Sequence, residues 1–79
     1  MARVLMFGAL AGCAGWRERT IAATTLDELK ALLTREDPSL GERLNGPAVF
    51  AVLNKAMIRG DHPLDDDDEV AFVPPVSGG

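Results

Sequence analysis

The sequence predicts an α+β fold, in which a mixed five-stranded sheet packs on one main helix with a short second helix beside it. Two patterns and the chain length point to it. Leu26, Leu29, Leu32 and Leu33 form one helical stripe directly behind a capping box, Thr25-Leu26-Asp27-Glu28. Short apolar runs stand on both sides of that helix: Val4–Phe7 in front, and Val49–Leu53, Ala56–Ile58 and Val70–Val73 behind. At 79 residues the chain makes one domain. Helix on sheet is the layer arrangement that buries both apolar surfaces.

The elements follow in order. Arg3–Gly8 reads as a first strand, ended by Gly8. Gly8, Gly12 and Gly15 predict a flexible connection, and Trp16–Ala22 a partly exposed second strand pairing with the first. The main helix covers about residues 26–36. Its Thr25 hydroxyl accepts the Glu28 N–H, its Glu28 carboxylate reaches back to the Thr25 N–H, and Asp27 and Glu28 complement the helix dipole. Asp37-Pro38 supplies a cap and an N1 proline for the short helix with Leu40 and Leu44 on its apolar edge, and Asn45-Gly46 stops it. Val49–Leu53 is continuously apolar, which predicts a strand buried on both faces. Asn54-Lys55 is a turn, Ala56–Ile58 a fourth strand, Asp61-His62-Pro63 another turn and Leu64 a return to the core. Val70–Val73 is the last strand, ended by Pro74-Pro75. A right-handed crossover through the helix brings a later strand beside the first. Residues 1–75 thus form the domain and residues 76–79 a flexible tail.

Composition narrows the function. Apolar residues are 47% and charged residues 25%, which is globular rather than disordered composition. A chain of this length buries only about 60% of its unfolded surface, too little for a deep pocket with a full catalytic set. One cysteine and one histidine exclude a disulfide framework and a structural zinc site within one chain. The net charge of −4 is divided: residues 1–60 carry +2, and residues 61–79 carry six acids and no Lys or Arg. That end repels phosphates, so nucleic acid is a poor partner and a basic protein surface a better one. Leu10-Ala11-Gly12-Cys13 has the look of a lipoprotein cleavage box. The stretch before it carries one positive charge and an apolar run broken by Gly8, so it reads instead as strand and loop, with no membrane association. Cys13 is then an unpaired loop thiol, compatible with a cytoplasmic location. Asp65–Glu69 lacks the glycine and terminal bidentate Glu of a calcium loop and reads as a solvated turn, so no metal is expected. His62, beside Pro63, reads as a structural turn histidine.

The C-terminal residues carry the chemistry. Pro74 and Pro75 lack N–H donors, so sheet pairing fails there and the chain leaves in a stiff, extended form. Val76, Ser77, Gly78 and Gly79 then give at most about 14 Å of reach. Gly78 and Gly79 have no side chains and fit a narrow channel. The last group is the Gly79 carboxylate, a poor electrophile until ATP turns it into an acyl-adenylate that a sulfur or nitrogen nucleophile attacks.

The end Asp68-Glu69-Val70-Ala71-Phe72-Val73-Pro74-Pro75-Val76-Ser77-Gly78-Gly79 resembles that of the small, sulfur-carrying subunits of molybdopterin synthase. The likeness continues in Val4-Leu5-Met6-Phe7, the Leu-rich helix, Val52-Leu53-Asn54 before a turn, and Asp61-His62-Pro63-Leu64 before the acidic run. The resemblance implies a ubiquitin-like β-grasp fold. It implies that an E1-like adenylating enzyme spends ATP on Gly79 and that a sulfurtransferase step makes the thiocarboxylate. The large synthase subunit, joined with this chain in a heterotetramer, then takes the sulfur for the dithiolene of molybdopterin. The chain itself is a non-catalytic carrier with no bound cofactor. By position, its binding surface is Phe7, Met57 and Val73 together with the inserted tail Pro74, Pro75, Val76, Ser77 and Gly78. Three positions depart from the family: Asp67 stands where glycine is common, Gly8–Gly15 is richer in glycine than the family's helical turn, and Val73 is smaller than the usual aromatic. Carriers for thiamin thiazole, tRNA thiolation or cysteine synthesis, a protein modifier joined to lysines through Gly79, and an interaction module with an inert terminus are the competing readings.

Overall fold

The computed structural model describes residues 1–74. The strands are β1 (Ala2–Met6), β2 (Glu18–Ile21), β3 (Phe50–Leu53), β4 (Ala56–Ile58) and β5 (Glu69–Val73). The helices are α1 (Ala9–Ala14), α2 (Leu26–Glu36) and α3 (Pro38–Leu44). The sheet order is β2-β1-β5-β3-β4, with β1 and β5 parallel at the centre and the outer pairs antiparallel. This is the mixed five-stranded sheet the sequence predicts, and the main helix has the predicted limits.

One core holds the molecule together. Ala2, Val4 and Met6 of β1, Val70 and Phe72 of β5, and Ala51 and Leu53 of β3 point to the helical side. They meet Leu26, Leu29 and Leu33 of α2, Leu40 and Leu44 of α3, and Leu10 of α1. Each buried Leu or Phe contributes about 1.5–3 kcal/mol by leaving water. Leu64 joins this core as expected.

The caps explain where the helices begin. Thr25 Oγ1 accepts the Glu28 N–H at 3.1 Å. Glu28 reaches back one residue further than its capping box predicts, to the Thr24 N–H at 2.7 Å. The Leu26 N–H donates to the His62 carbonyl and the Leu64 N–H to the Thr24 carbonyl, so the turn at 61–64 is stapled to this helix start. Asp61 Oδ1 accepts from the Asp27 N–H at 2.8 Å and from the His62 N–H at 2.9 Å. Asp61-His62-Pro63-Leu64 is therefore a structural clip on α2. Asp37 caps α3 by accepting the Leu40 N–H, with Pro38 in the first turn.

Three sequence expectations change. The glycine-rich segment after Gly8 is the helix α1, not a loop. Its glycines lie mainly at the ends, Gly15 closes it in the left-handed conformation at φ 84°, and Leu10 anchors it in the core at 2% exposure. Cys13 is thus a half-buried helical residue packed against the core. The second strand is shorter than Trp16–Ala22, because Trp16 leaves the ladder to lie under Arg19, 5.1 Å from its guanidinium carbon. The third strand is buried on one face only. All three helices pack on the same side of the sheet, so Phe50 is exposed and Val52 half-buried on the other.

Candidate docking face and the root of the tail

The uncovered side of the sheet is ordered in rows, because strand alternation and register put every second residue of neighbouring strands side by side. The first row is polar: Thr20, Arg3 and Glu69 are adjacent across β2, β1 and β5, and Arg3 pairs with both Glu69 and Glu18. The second row runs Glu18, Leu5, Ala71, Val52 and Met57 across all five strands. It becomes apolar from Leu5 onward and ends on Met57, 59% exposed. The third row is apolar. Val73 of β5 pairs with Phe50 of β3, and Phe7 stands on the other side of Val73, one step beyond the Met6–Phe72 pair, with its N–H donating to the Phe72 carbonyl at 3.2 Å. Phe7 is 48% and Phe50 41% exposed, against 0% for Phe72 on the opposite side of the same sheet.

Sheet pairing ends at this third row. Pro74 follows with no N–H to donate, and its ring lies against Gly8. Gly8 has φ +57°, which favours glycine, and a Cβ there would stand a tight 3.0 Å from Pro74 Cγ, so the ring would have to shift slightly to admit one. The apolar gradient of the face therefore runs toward Pro74, the last of the described residues.

The positions predicted from sequence fall as follows. Phe7, Val73 and Met57 lie on one face, Phe7 and Val73 side by side and Met57 at the end of the adjacent row. Pro74 is half-buried at their edge. Pro75, Val76, Ser77, Gly78 and Gly79 lie outside the described residues. Phe50 was not anticipated. The signal was present: with Leu53 inward before the Asn54-Lys55 turn, alternation turns Val52 and Phe50 outward.

At the polar end, the acidic run forms a pinned turn. Asp68 Oδ2 accepts the Asp65 N–H at 2.8 Å, and Asp68 Oδ1 accepts from Asn54 Nδ2 at 2.9 Å. These bonds, the Asp65 amide first, hold the Asp68 carboxyl below its ordinary range. Asn54 also accepts the Glu69 N–H at 2.9 Å through its side chain, tying the β3–β4 hairpin to the start of β5. Among the described residues, no three His, Cys, Asp or Glu side chains converge as a metal site needs, and no helix is long and apolar enough to cross a membrane.

This sheet order, with α2 packed across one face and the other left bare, defines a ubiquitin-like β-grasp protein. The chain belongs to the ThiS family, which it matches over residues 4–79. It is 33% identical, over the full length of both chains, to the molybdopterin synthase sulfur carrier subunit of Escherichia coli K12. Among solved structures it resembles a chain of the complex of subunits 1 and 2 of molybdopterin-converting factor from Helicobacter pylori 26695, at 32% identity and TM-score 0.75, over 99% of this chain and 97% of that one. It also resembles small archaeal modifier protein 1 of Methanosarcina acetivorans, at 26% identity and TM-score 0.86, over 99% and 95% of the two chains.

Proposed function

We propose that this chain is a sulfur carrier for molybdopterin synthesis, loaded and emptied at the Gly79 carboxylate by other proteins. The observation that carries the reading is the arrangement of the bare sheet face. Its apolar rows culminate in Phe7, Val73 and Phe50, at the root of a segment that continues Pro75-Val76-Ser77-Gly78-Gly79. Full-length likeness to the E. coli carrier subunit and to the H. pylori complex supports the same reading.

The chemistry divides between the chain and its partners. In an E1-like enzyme the Gly79 carboxylate attacks the α-phosphorus of ATP, and pyrophosphate leaves. A sulfide-level nucleophile delivered by a sulfurtransferase attacks the acyl-adenylate carbonyl, and AMP leaves, giving the thiocarboxylate. On the large synthase subunit that sulfur passes to the pterin precursor, and water restores the carboxylate. The chain contributes no acid or base to these steps. Its diglycine lets a bare backbone enter a channel, and its apolar face holds the partner while the channel shields the thiocarboxylate from hydrolysis. The carrier acts in the cytoplasm, where its partners and ATP are found.

Deleting Gly79, or adding one residue after it, should abolish sulfur transfer to the large subunit in a reconstituted assay while the circular dichroism spectrum and melting temperature stay unchanged. Transfer by either variant refutes the reading. The likeness to the archaeal modifier protein favours one second reading, conjugation through Gly79 to lysine side chains. That reading predicts heavier conjugates of this chain on other proteins in the cells that make it, and the carrier reading predicts none.

A further inference from the structure

We propose that the cleft between α2 and the β3–β4 edge is a carboxylate site, and that its ligand is this chain's own C-terminal segment, with Val76 on the apolar floor and the Gly79 carboxylate on Lys30 and Arg59. The site does not depend on the sulfur-carrier reading; only its consequence for loading does. The cleft encloses about 380 Å³. Its floor is apolar: Leu26 and Ala51 are buried, and Val49 and Ile58 half-buried. Lys30 and Arg59 stand in its lining, and no acid does. Among the described residues neither cation pairs with an acid, although Lys30 is half-buried. The acids closest in sequence, Asp27 and Asp61, are outside the lining, and Asp61 Oδ1 is engaged by the Asp27 and His62 amides. A half-buried cation attracts an anion more strongly than an exposed one does, because water and salt screen it less. Two such groups over an apolar floor suit an anion that carries a small apolar body.

The chain beyond Pro74 supplies that anion within reach. Continuing the Phe50–Val73 register by one residue puts Val49 beside Pro74, and continuing the Ala51–Ile58 register puts Arg59 beside Phe50. The floor of the cleft thus begins next to Pro74, and Arg59 is two strand spacings from β5, about 10 Å. Pro74-Pro75 in extended form carries the chain about 6 Å onward, which leaves a diagonal of about 12 Å back to Arg59. Val76, Ser77, Gly78 and Gly79 span at most about 14 Å, and the two glycines allow the backbone to turn. A second cleft also borders Gly8 and holds Arg17, but Glu18 shares that one and opposes a carboxylate. A docked terminus is withheld from other proteins in proportion to its docked population. An adenylating enzyme therefore has to take Gly79 from Lys30 and Arg59 before it can load it.

Nuclear magnetic resonance of the full chain tests this, with melting temperatures verifying that each variant folds. Removing Val76–Gly79 should shift the amide resonances of Val49, Ile58, Arg59 and Gly60 and leave those around Arg17 in place. The Gly79 carboxyl, followed through the pH dependence of the Gly79 amide resonance, should titrate about half a unit or more below the ordinary α-carboxyl range. It should return to that range in the double variant Lys30→Gln/Arg59→Gln, and Lys30→Arg should preserve the wild-type value. A Gly79 carboxyl that titrates in the ordinary range and ignores the double substitution overturns the inference. So do truncation shifts that fall around Arg17 instead, and shifts that vanish on dilution, since these make another cleft or a second copy the site. The experiment uses the unmodified chain, so it separates the two readings. A docked Gly79 on a chain that never carries sulfur leaves this inference standing and refutes only the carrier, and an undocked Gly79 on a working carrier does the reverse.

Discussion

Gly41 of α3 packs so tightly on α2 that a Cβ there would overlap the Thr34 side chain, closer than a non-bonded Cβ approaches its neighbours. Thr34 cannot swing aside freely, because its hydroxyl donates to the Lys30 carbonyl at 2.7 Å. Gly41→Ala should therefore destabilise the fold by about 1–3 kcal/mol in a urea melt. Adding Thr34→Ala removes the obstructing hydroxyl and methyl and should recover much of the loss. Nothing in the sequence marks Gly41 in this way, since the glycine interrupts a helical pattern and only the closeness of a second helix gives it a reason. Phe50 is the opposite case. Its outward direction follows from counting back in twos from the Asn54-Lys55 turn, but the unbroken apolar run Val49–Leu53 suggests burial on both faces and hides that count. Phe7 and Met57 were reached through the family resemblance, by position, and the register places both on the bare face.

At the scale of elements, α2, α3 and the last three strands could be read almost residue for residue, because each begins or ends on a side chain with a specific local duty. Thr25 and Asp37 cap helices, Pro38 begins one, Asn54 and Lys55 supply the two positive φ values of a tight hairpin (48° and 72°), and Pro74 ends the sheet. The helix α1 could not, since three glycines in eight residues score as a loop until Leu10 has a core to enter. The acidic turn Asp65–Asp68 is likewise explained only by its partners. Because Asp68 is held below its ordinary range by the Asp65 amide and Asn54, and Glu36 by its pair with Arg19, the unfolded chain takes up these protons first as pH falls. Stability from both groups is complete at neutral pH and is lost as the pH falls from the ordinary carboxylate range through the lowered native values. Both groups are solvent-exposed, so the effect is modest and salt reduces it. Asn54→Ala should blunt the acid-side fall in melting temperature as well as lower it at pH 7, and an acid profile parallel to that of the wild type would show that the turn has no part in it.

At the scale of the whole molecule, one side of the sheet is spent on stability and the other is left for a partner. The helical side holds every fully buried large side chain among the described residues, while the bare side grades from the Arg3–Glu69 pair to the three-residue apolar row beside Pro74. The sequence conveys the first half of this division directly, as leucines at helical spacing. It conveys the second half only once register is known, because which apolar residues stand side by side depends on a parallel pairing between strands at opposite ends of the chain. In the proposed reading the reactive group is the Gly79 carboxylate, and the partners supply the catalysis.

The most direct test is the intact mass of this chain purified from its own cells during active molybdopterin synthesis. The account predicts a fraction heavier than the unmodified polypeptide by the difference between one sulfur and one oxygen atom, localised to Gly79 by fragmentation and lost on incubation with the large subunit and the pterin precursor. A chain that stays unmodified at Gly79 while the cofactor is being made would contradict it.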